Sequence, residues 1–396
     1  INLLKLRASW GKTGQDNLGS SLYGSYAPNN FKVNFSDNSI INIPYVSMGA
    51  NYPDVSWQKT TMKNIGLDFY LLSDRISGSF DFFRNDITRL LGYASTSPLA
   101  IYETRPVNGG HYYRRGWELM LDTKNIVGEF TWDTSLTFSK TNSFWKERLP
   151  NYDYQIYQKR ENEPMNAYYY YNVTGIINTD RSNMPESQKS LQAEAQLPGC
   201  PIIEDKNKDG KIDENDIYMK DNSPAVYVGF GNTFTYKNFE FSFFMYGQFG
   251  IQKYNIAYSA AQAGPLAVDY PENSNKFAYR LWNSQTNPNG SRPGLAIGKM
   301  GALPGNAWVN TDMENASFMR MRNITLAYNL TGNLLGSLQR YVRNIKVYVD
   351  AQNPFILTKF QGFDPEIYTG GGGASGGSRG EYPQTRTFSL GANITF

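Results

Sequence analysis

Between Glu204 and Ile217 the chain reads EDKNKDGKIDENDI. Oxygen-bearing side chains fall at alternate places, Asp205, Asn207 and Asp209, and then at Asp213 and Asp216. Gly210 follows the third of them, where a sharp turn needs a residue without Cβ. Counted from Asp205, these are places 1, 3, 5, 9 and 12 of a hard-cation loop, with the Lys211 backbone carbonyl at place 7. Such an ion takes six to eight oxygens at about 2.3–2.6 Å. The run is therefore expected to bind calcium, in a structural role. Asp216 stands where Glu is usual, and its shorter arm makes bidentate binding weaker. The competing reading is a solvated acidic turn that matches by coincidence.

Little else in the sequence could do chemistry. There is one cysteine, Cys200, and one histidine, His111. That excludes an intrachain disulfide and a zinc cluster, and it leaves almost nothing for a Ser-His-Asp set. Cys200, in LPGCPI, is expected to be inert, and His111, in GGHYYRRG, to lie in a loop or at a strand end. No enzymatic activity is expected. Tyr168, Tyr169, Tyr170 and Tyr171 offer a surface on which substrate rings could stack, or they simply pack their loop. TGGGGASGGSRG (369–380) lacks the phosphate-loop pattern and reads as a mobile loop. Asp364 and Glu366, in GFDPEI, read as a same-face pair in a strand, with no catalytic partner evident. Thirty-eight Lys and Arg against 35 Asp and Glu give a net charge of +3. No basic stripe interleaves with aromatics, so nucleic acid is not a partner.

The elements that hold these residues alternate with period two. Leu4, Leu6, Ala8 and Trp10 share a face, as do Ile65, Leu67, Phe69 and Leu71. The same holds for Phe80 and Phe82, for Trp117, Leu119 and Leu121, and for Phe130, Trp132, Leu136 and Phe138. It recurs in 226–234, 239–249, 324–330 and 345–349, and ends with Phe388, Leu390, Ala392, Ile394 and Phe396. The fold class is thus all-β, with about ten antiparallel strands. The chain is 15% aromatic. A wall with one face to lipid and one to water needs that mixture.

The connections decide between a sandwich and a barrel. LSDR, KNIV, YKNF and TGNLLGSLQRYVR are short; 14–58, 89–111, 142–223, 251–315 and 355–383 are long. Short and long alternate along the whole chain, as they do between the two rims of an outer-membrane barrel. With Phe396 on the periplasmic side, the short turns are periplasmic. The stretch 142–223 is then one extracellular loop with few core contacts, carrying the calcium motif. NAYYYYNVTGI belongs to that loop and not to the wall. Lys346, Tyr348, Asp350 and Gln352 face the lumen. Phe396 and Ile394 read as a C-terminal barrel-assembly signal. The chain opens on INLLKLRASW, already a strand, with no initiator Met or leader pattern. It is read as a piece of a longer chain without its signal peptide.

Three segments carry a family resemblance: ASFMRMRNITLAYNL (316–330), AQNPFILTKFQGFDPEI (351–367) and YPQTRTFSLGANITF (382–396). AYYYYNVTGIINTD followed by residues 202–250 adds a fourth. Together they resemble the closing part of SusC/RagA-type TonB-dependent transporters of Bacteroidetes, in order and spacing, from residue 1 to the end. The resemblance implies a barrel of about 22 strands around an N-terminal plug, the plug and TonB box lying outside this chain. It also implies import of oligosaccharides or peptides across the outer membrane, with a SusD-like lipoprotein lid and energy from TonB. The alternatives are a self-contained barrel acting as an adhesin or enzyme, and a secreted calcium-dependent binding protein.

Overall fold

The computed structural model describes residues 1–15, 26–34, 40–47, 55–95, 104–149, 154–158, 162–255, 280–294, 303–306, 308–362, 364–366 and 384–396. The glycine run 369–380 lies outside them. One sheet dominates. Its main strands are β1 (Leu3–Gln15), β2 (Gln58–Leu71), β3 (Ile76–Ser95), β4 (Thr104–Ile126), β5 (Phe130–Glu147), β6 (Val226–Tyr236), β7 (Phe239–Phe249), β8 (Phe318–Thr331), β9 (Asn344–Gln352) and β10 (Thr387–Thr395). Each pairs antiparallel with the next in sequence. Among the described residues, β1 and β10 do not pair with each other and the sheet stays open. No helix there is long and apolar enough to cross a membrane.

Register explains why the alternation was so regular. A strand shifted by one residue would turn every apolar side chain to the other face. In the observed register Leu6 faces Leu67, then Phe80, Leu119, Phe138 and Val228 in turn. Trp132, Phe234, Phe241, Leu326, Val349 and Leu390 form a second such row. One face of the sheet is therefore apolar and open to the surroundings, with Leu6 at 75% and Leu390 at 78% exposure. Ile394 and Phe396 are also exposed, Ile394 on this same face.

The other face is polar and tied across strands. The Arg7 guanidinium lies 2.8 Å from Asp68 Oδ1 and 2.9 Å from Asp81 Oδ2. Gly66 makes this reach possible, since a Cβ there would sit 2.4 Å from the Asp81 carboxylate. Lys346 pairs with Glu240 at 3.0 Å, and Thr325 donates to Asp350 at 2.6 Å.

Several connections differ from expectation. The stretch 89–111 is mostly strand, because β3 runs to Ser95 and β4 starts at Thr104. Arg89 (φ 56°) and Gly110 (φ 73°) interrupt the pairing at one position, and it continues in the same register beyond them. His111 accordingly lies inside β4, opposite Thr88, with its Nε2 3.5 Å from Asp86. The long stretch after β1 contains a hairpin, Tyr26–Asn34 with Ile40–Ser47. The pairing line of β9 resumes past Asn353 (φ 49°), where Ile356–Thr358 joins the start of β8. The short turns lie at 72–75, 127–129 and 237–238, the second moved past KNIV because β4 runs to Ile126, and the β8–β9 link carries a 3₁₀ segment, Gly332–Arg340.

Candidate functional site

Between β5 and β6 the chain leaves the sheet and folds on itself. Ala167–Tyr171 pairs with Tyr218–Asp221, and Val173–Ile176 pairs with Pro201–Ile203. NAYYYYNVTGI is thus outside the wall. Trp308–Val309, from the connection between β7 and β8, adds in parallel to Tyr170–Tyr171. The expectation of few core contacts is corrected here. Tyr171, Ile177, Cys200, Ile203, Ile212 and Ile217 form the heart of a buried apolar cluster, which Leu303 joins from the later connection. These residues follow no period, so only the tertiary fold gathers them. The wall needs no such cluster, because its apolar face is turned outward.

The acidic loop is fastened to this cluster. Asp209 N–H donates to Asp205 Oδ1 (3.2 Å) and to Asn207 Oδ1 (3.1 Å), and Gly210 N–H donates to Asp205 Oδ2 (2.9 Å). Lys211 N–H donates to Asp209 Oδ1 at 2.9 Å. Gly210 holds φ 85°, in open space, so its backbone and not crowding demands glycine. Asp216 is fully buried, and its two oxygens accept from Lys206 N–H (2.9 Å) and Asp213 N–H (2.8 Å). Asp213 accepts from Asn215 N–H and caps the turn Glu214–Asp216. Ile212 and Ile217, the apolar residues flanking Asp213 and Asp216, plug into the core.

The donor set is all oxygen and chemically suited to a hard cation. The six places lie on one folded loop. Among the described residues, however, no three His, Cys, Asp or Glu side chains gather in a metal cluster. The loop closes through its own backbone amides.

The four tyrosines divide by side. Tyr171 is wholly buried, and its hydroxyl donates to Asp213 O (2.9 Å) and Pro304 O (3.0 Å). Burial, and then the carboxylates of Asp216, Glu214 and Asp213, push its pKa up. Tyr169 packs on Tyr157, with ring centroids 5.0 Å apart. Tyr168 stacks on Tyr170 at 5.4 Å, and Tyr170 on Tyr218 at 5.8 Å. Tyr168, Tyr170 and Tyr218 thus form a partly exposed ladder of rings. Cys200 is fully buried, and burial pushes its thiol up to about 11.

A second polar centre stands on the wall. Asp364 and Glu366 lie at a turn and not in a strand, and both meet the buried Arg320 of β8. Its Nη2 lies 2.7 Å from Asp364 Oδ1, its Nε donates to Glu366 Oε2, and the Tyr246 hydroxyl also meets Glu366. Register puts Tyr246 and Arg320 opposite each other on the polar face. The sequence hid this pair behind a separation of 44 residues. The places of Ile212 and Ile217 were a signal that could have been read: apolar residues at fixed places in a polar loop.

An open antiparallel meander, apolar on its outer face and ion-paired on the other, defines a stretch of outer-membrane β-barrel wall. Known proteins place it further. No family model matches the chain. TonB-dependent receptor P3 of Formosa agariphila is 26% identical over 417 residues, covering 100% of this chain and 40% of that protein. TonB-dependent receptor SusC of Bacteroides thetaiotaomicron is 29% identical over 412 residues, covering 99% of this chain and 37% of SusC. The RagAB peptide importer in its closed-closed state superposes with a TM-score of 0.71 at 19% identity, over 99% of this chain and 41% of that one. Its open-open state gives 0.70 at 20% identity.

The chain is related to the SusC/RagA-type TonB-dependent receptors, corresponds to their C-terminal part and is an outer-membrane β-barrel chain. It spans 40% and 37% of the length of the two relatives.

Proposed function

We propose that this chain is the closing part of the wall of a SusC-like importer that takes up oligosaccharides or peptides across the outer membrane. The observation that carries the reading is the match along 99% of the chain to both SusC and the RagAB peptide importer. A SusD-like lipoprotein lids the extracellular mouth, and TonB supplies energy through the part of the receptor that precedes this stretch. The folded unit at 148–225 stands on the extracellular side and carries the loop closest to lid and substrate. The Tyr168–Tyr170–Tyr218 ladder is its aromatic surface for substrate.

The acidic loop holds calcium in this reading, through Asp205, Asn207, Asp209, the Lys211 carbonyl, Asp213 and Asp216. When bound, the ion neutralises the loop's carboxylates and ties its ends together. The unit's own residues do the rest: Ile212 and Ile217 anchor the loop, and Tyr171 links it to Pro304 across the module.

The test is the intact mass of the native polypeptide and of whatever co-purifies with it from detergent-solubilised outer membrane. A chain well over twice 44.9 kDa with a lipoprotein bound is expected. A chain near that mass and without a partner would overturn the importer.

A further inference from the structure

The link between β8 and β9 is unlike the other short turns. Gly332–Arg340 coils into 3₁₀ structure, kinked at Gly336 (φ 55°), and Tyr341 and Val342 N–H close on Leu338 O at 2.9 Å each. Two of its apolar residues, Leu335 and Val342, are buried. Three others are not: Leu334, Leu338 and Tyr341 are 52%, 51% and 68% exposed. Leu338 and Tyr341, three residues apart after the kink, share one side of the 3₁₀ coil, and Leu334 precedes the kink. The stretch from Gly332 to Arg343 carries Arg340 and Arg343 and no acidic residue.

Apolar residues on one side, with basic ones beside them, suit the layer where acyl chains meet anionic headgroups. The position fits as well. The coil leaves β8 after Leu330 and enters β9 before Ile345, and these two face each other on the outer, apolar face. Ile345 in turn faces Ile394 of β10, itself 51% exposed. The lipid-facing surface of the wall therefore runs up to both ends of the coil, and the exposed leucines extend it.

We propose that this coil is a membrane-interface anchor. Leu338 and Tyr341 insert among the acyl chains at the rim of the wall, and Arg340 and Arg343 pair with lipid phosphates. The anchor fixes the height of the β8–β9 hairpin in the bilayer. It rests on the outer-membrane reading of the wall and is independent of what the protein transports.

Nitroxide scanning tests it. Leu338→Cys, Tyr341→Cys, Gln339→Cys and Leu390→Cys would be labelled one at a time in the full-length protein, freed of other reactive thiols. Cys200 can stay, being buried. The protein would be placed in phosphatidylethanolamine–phosphatidylglycerol vesicles, and only variants that keep the heat-modifiable folded band would be read. Labels at 338 and 341 are expected to meet oxygen at least several-fold more readily than a water-soluble nickel chelate. The label at 339 is expected to favour the chelate. Labels at 338 and 341 that prefer the chelate, or that neither reagent reaches, would overturn the anchor and assign the face to water or to protein. Leu390 reports the wall itself: if its label also avoids lipid, the outer-membrane reading falls and the anchor with it.

Discussion

Cys200 looked idle in the sequence and is a reporter in the structure. Its thiol is fully buried, and burial raises its pKa from 9.0 to about 11. A raised thiol pKa means that the unfolded unit gives up the proton first. Its contribution to stability is thus complete below about pH 9 and is lost as pH rises towards 11. Limited proteolysis of the 148–225 unit is expected to accelerate across that window, and less steeply in Cys200→Ala. A pH profile that the substitution leaves unchanged would remove Cys200 from the linkage. Tyr171 acts with the same sign at higher pH, since burial, and then the carboxylates of Asp216, Glu214 and Asp213, hold its hydroxyl neutral.

At the scale of elements, two pieces are fastened by a few polar side chains. The acidic loop hangs on Asp205, Asn207 and Asp209, and Asp209→Ala removes both a candidate ion ligand and the acceptor of Lys211 N–H. If calcium holds the loop, chelation should speed proteolysis of the unit in the parent severalfold and do little more in Asp209→Ala. Equal rates with and without chelator would exclude the ion. The stretch after β9 hangs on Arg320. Arg320→Ala leaves Asp364 and Glu366 facing each other without a cation, a loss of about 3–5 kcal/mol for a buried pair. Trypsin is then expected to cut faster at Lys359 and Arg386, with partial recovery on adding Asp364→Asn. Unaltered cleavage would mean that the segment is held by other contacts.

At the scale of the molecule, the main sheet of the described residues is open. Among the described residues, the outer edges of β1 and β10 have no strand partner, and such edges invite pairing. Residues 1–396 expressed alone are therefore expected to give no compact, heat-modifiable band on electrophoresis and to self-associate in detergent. The full-length protein should give that band. A monomeric heat-modifiable fragment would restore the self-contained barrel as the better reading. The open sheet and the match to only about two fifths of two longer receptors both weigh against that rival.

The sequence by itself determined the wall. Period two in Leu4–Trp10, Phe130–Phe138 and Phe388–Phe396 has a single physical cause, a strand with one face in an apolar medium, and each strand carries that cause locally. The turn at Lys237–Asn238 was equally local. The acidic loop was legible because its spacing lies within one short run. Only the tertiary structure decided the rest. The buried cluster of the 148–225 unit joins Tyr171, Cys200, Ile217 and Leu303, which follow no period and meet only after folding. Arg320 and its carboxylates lie 44 and 46 residues apart, too far for any local pattern. Arg89 and Gly110 looked like loop residues, and lie within paired strands because the residues on either side of them keep the same register. Periodicity records the medium a residue faces; it does not record which distant residue it will touch.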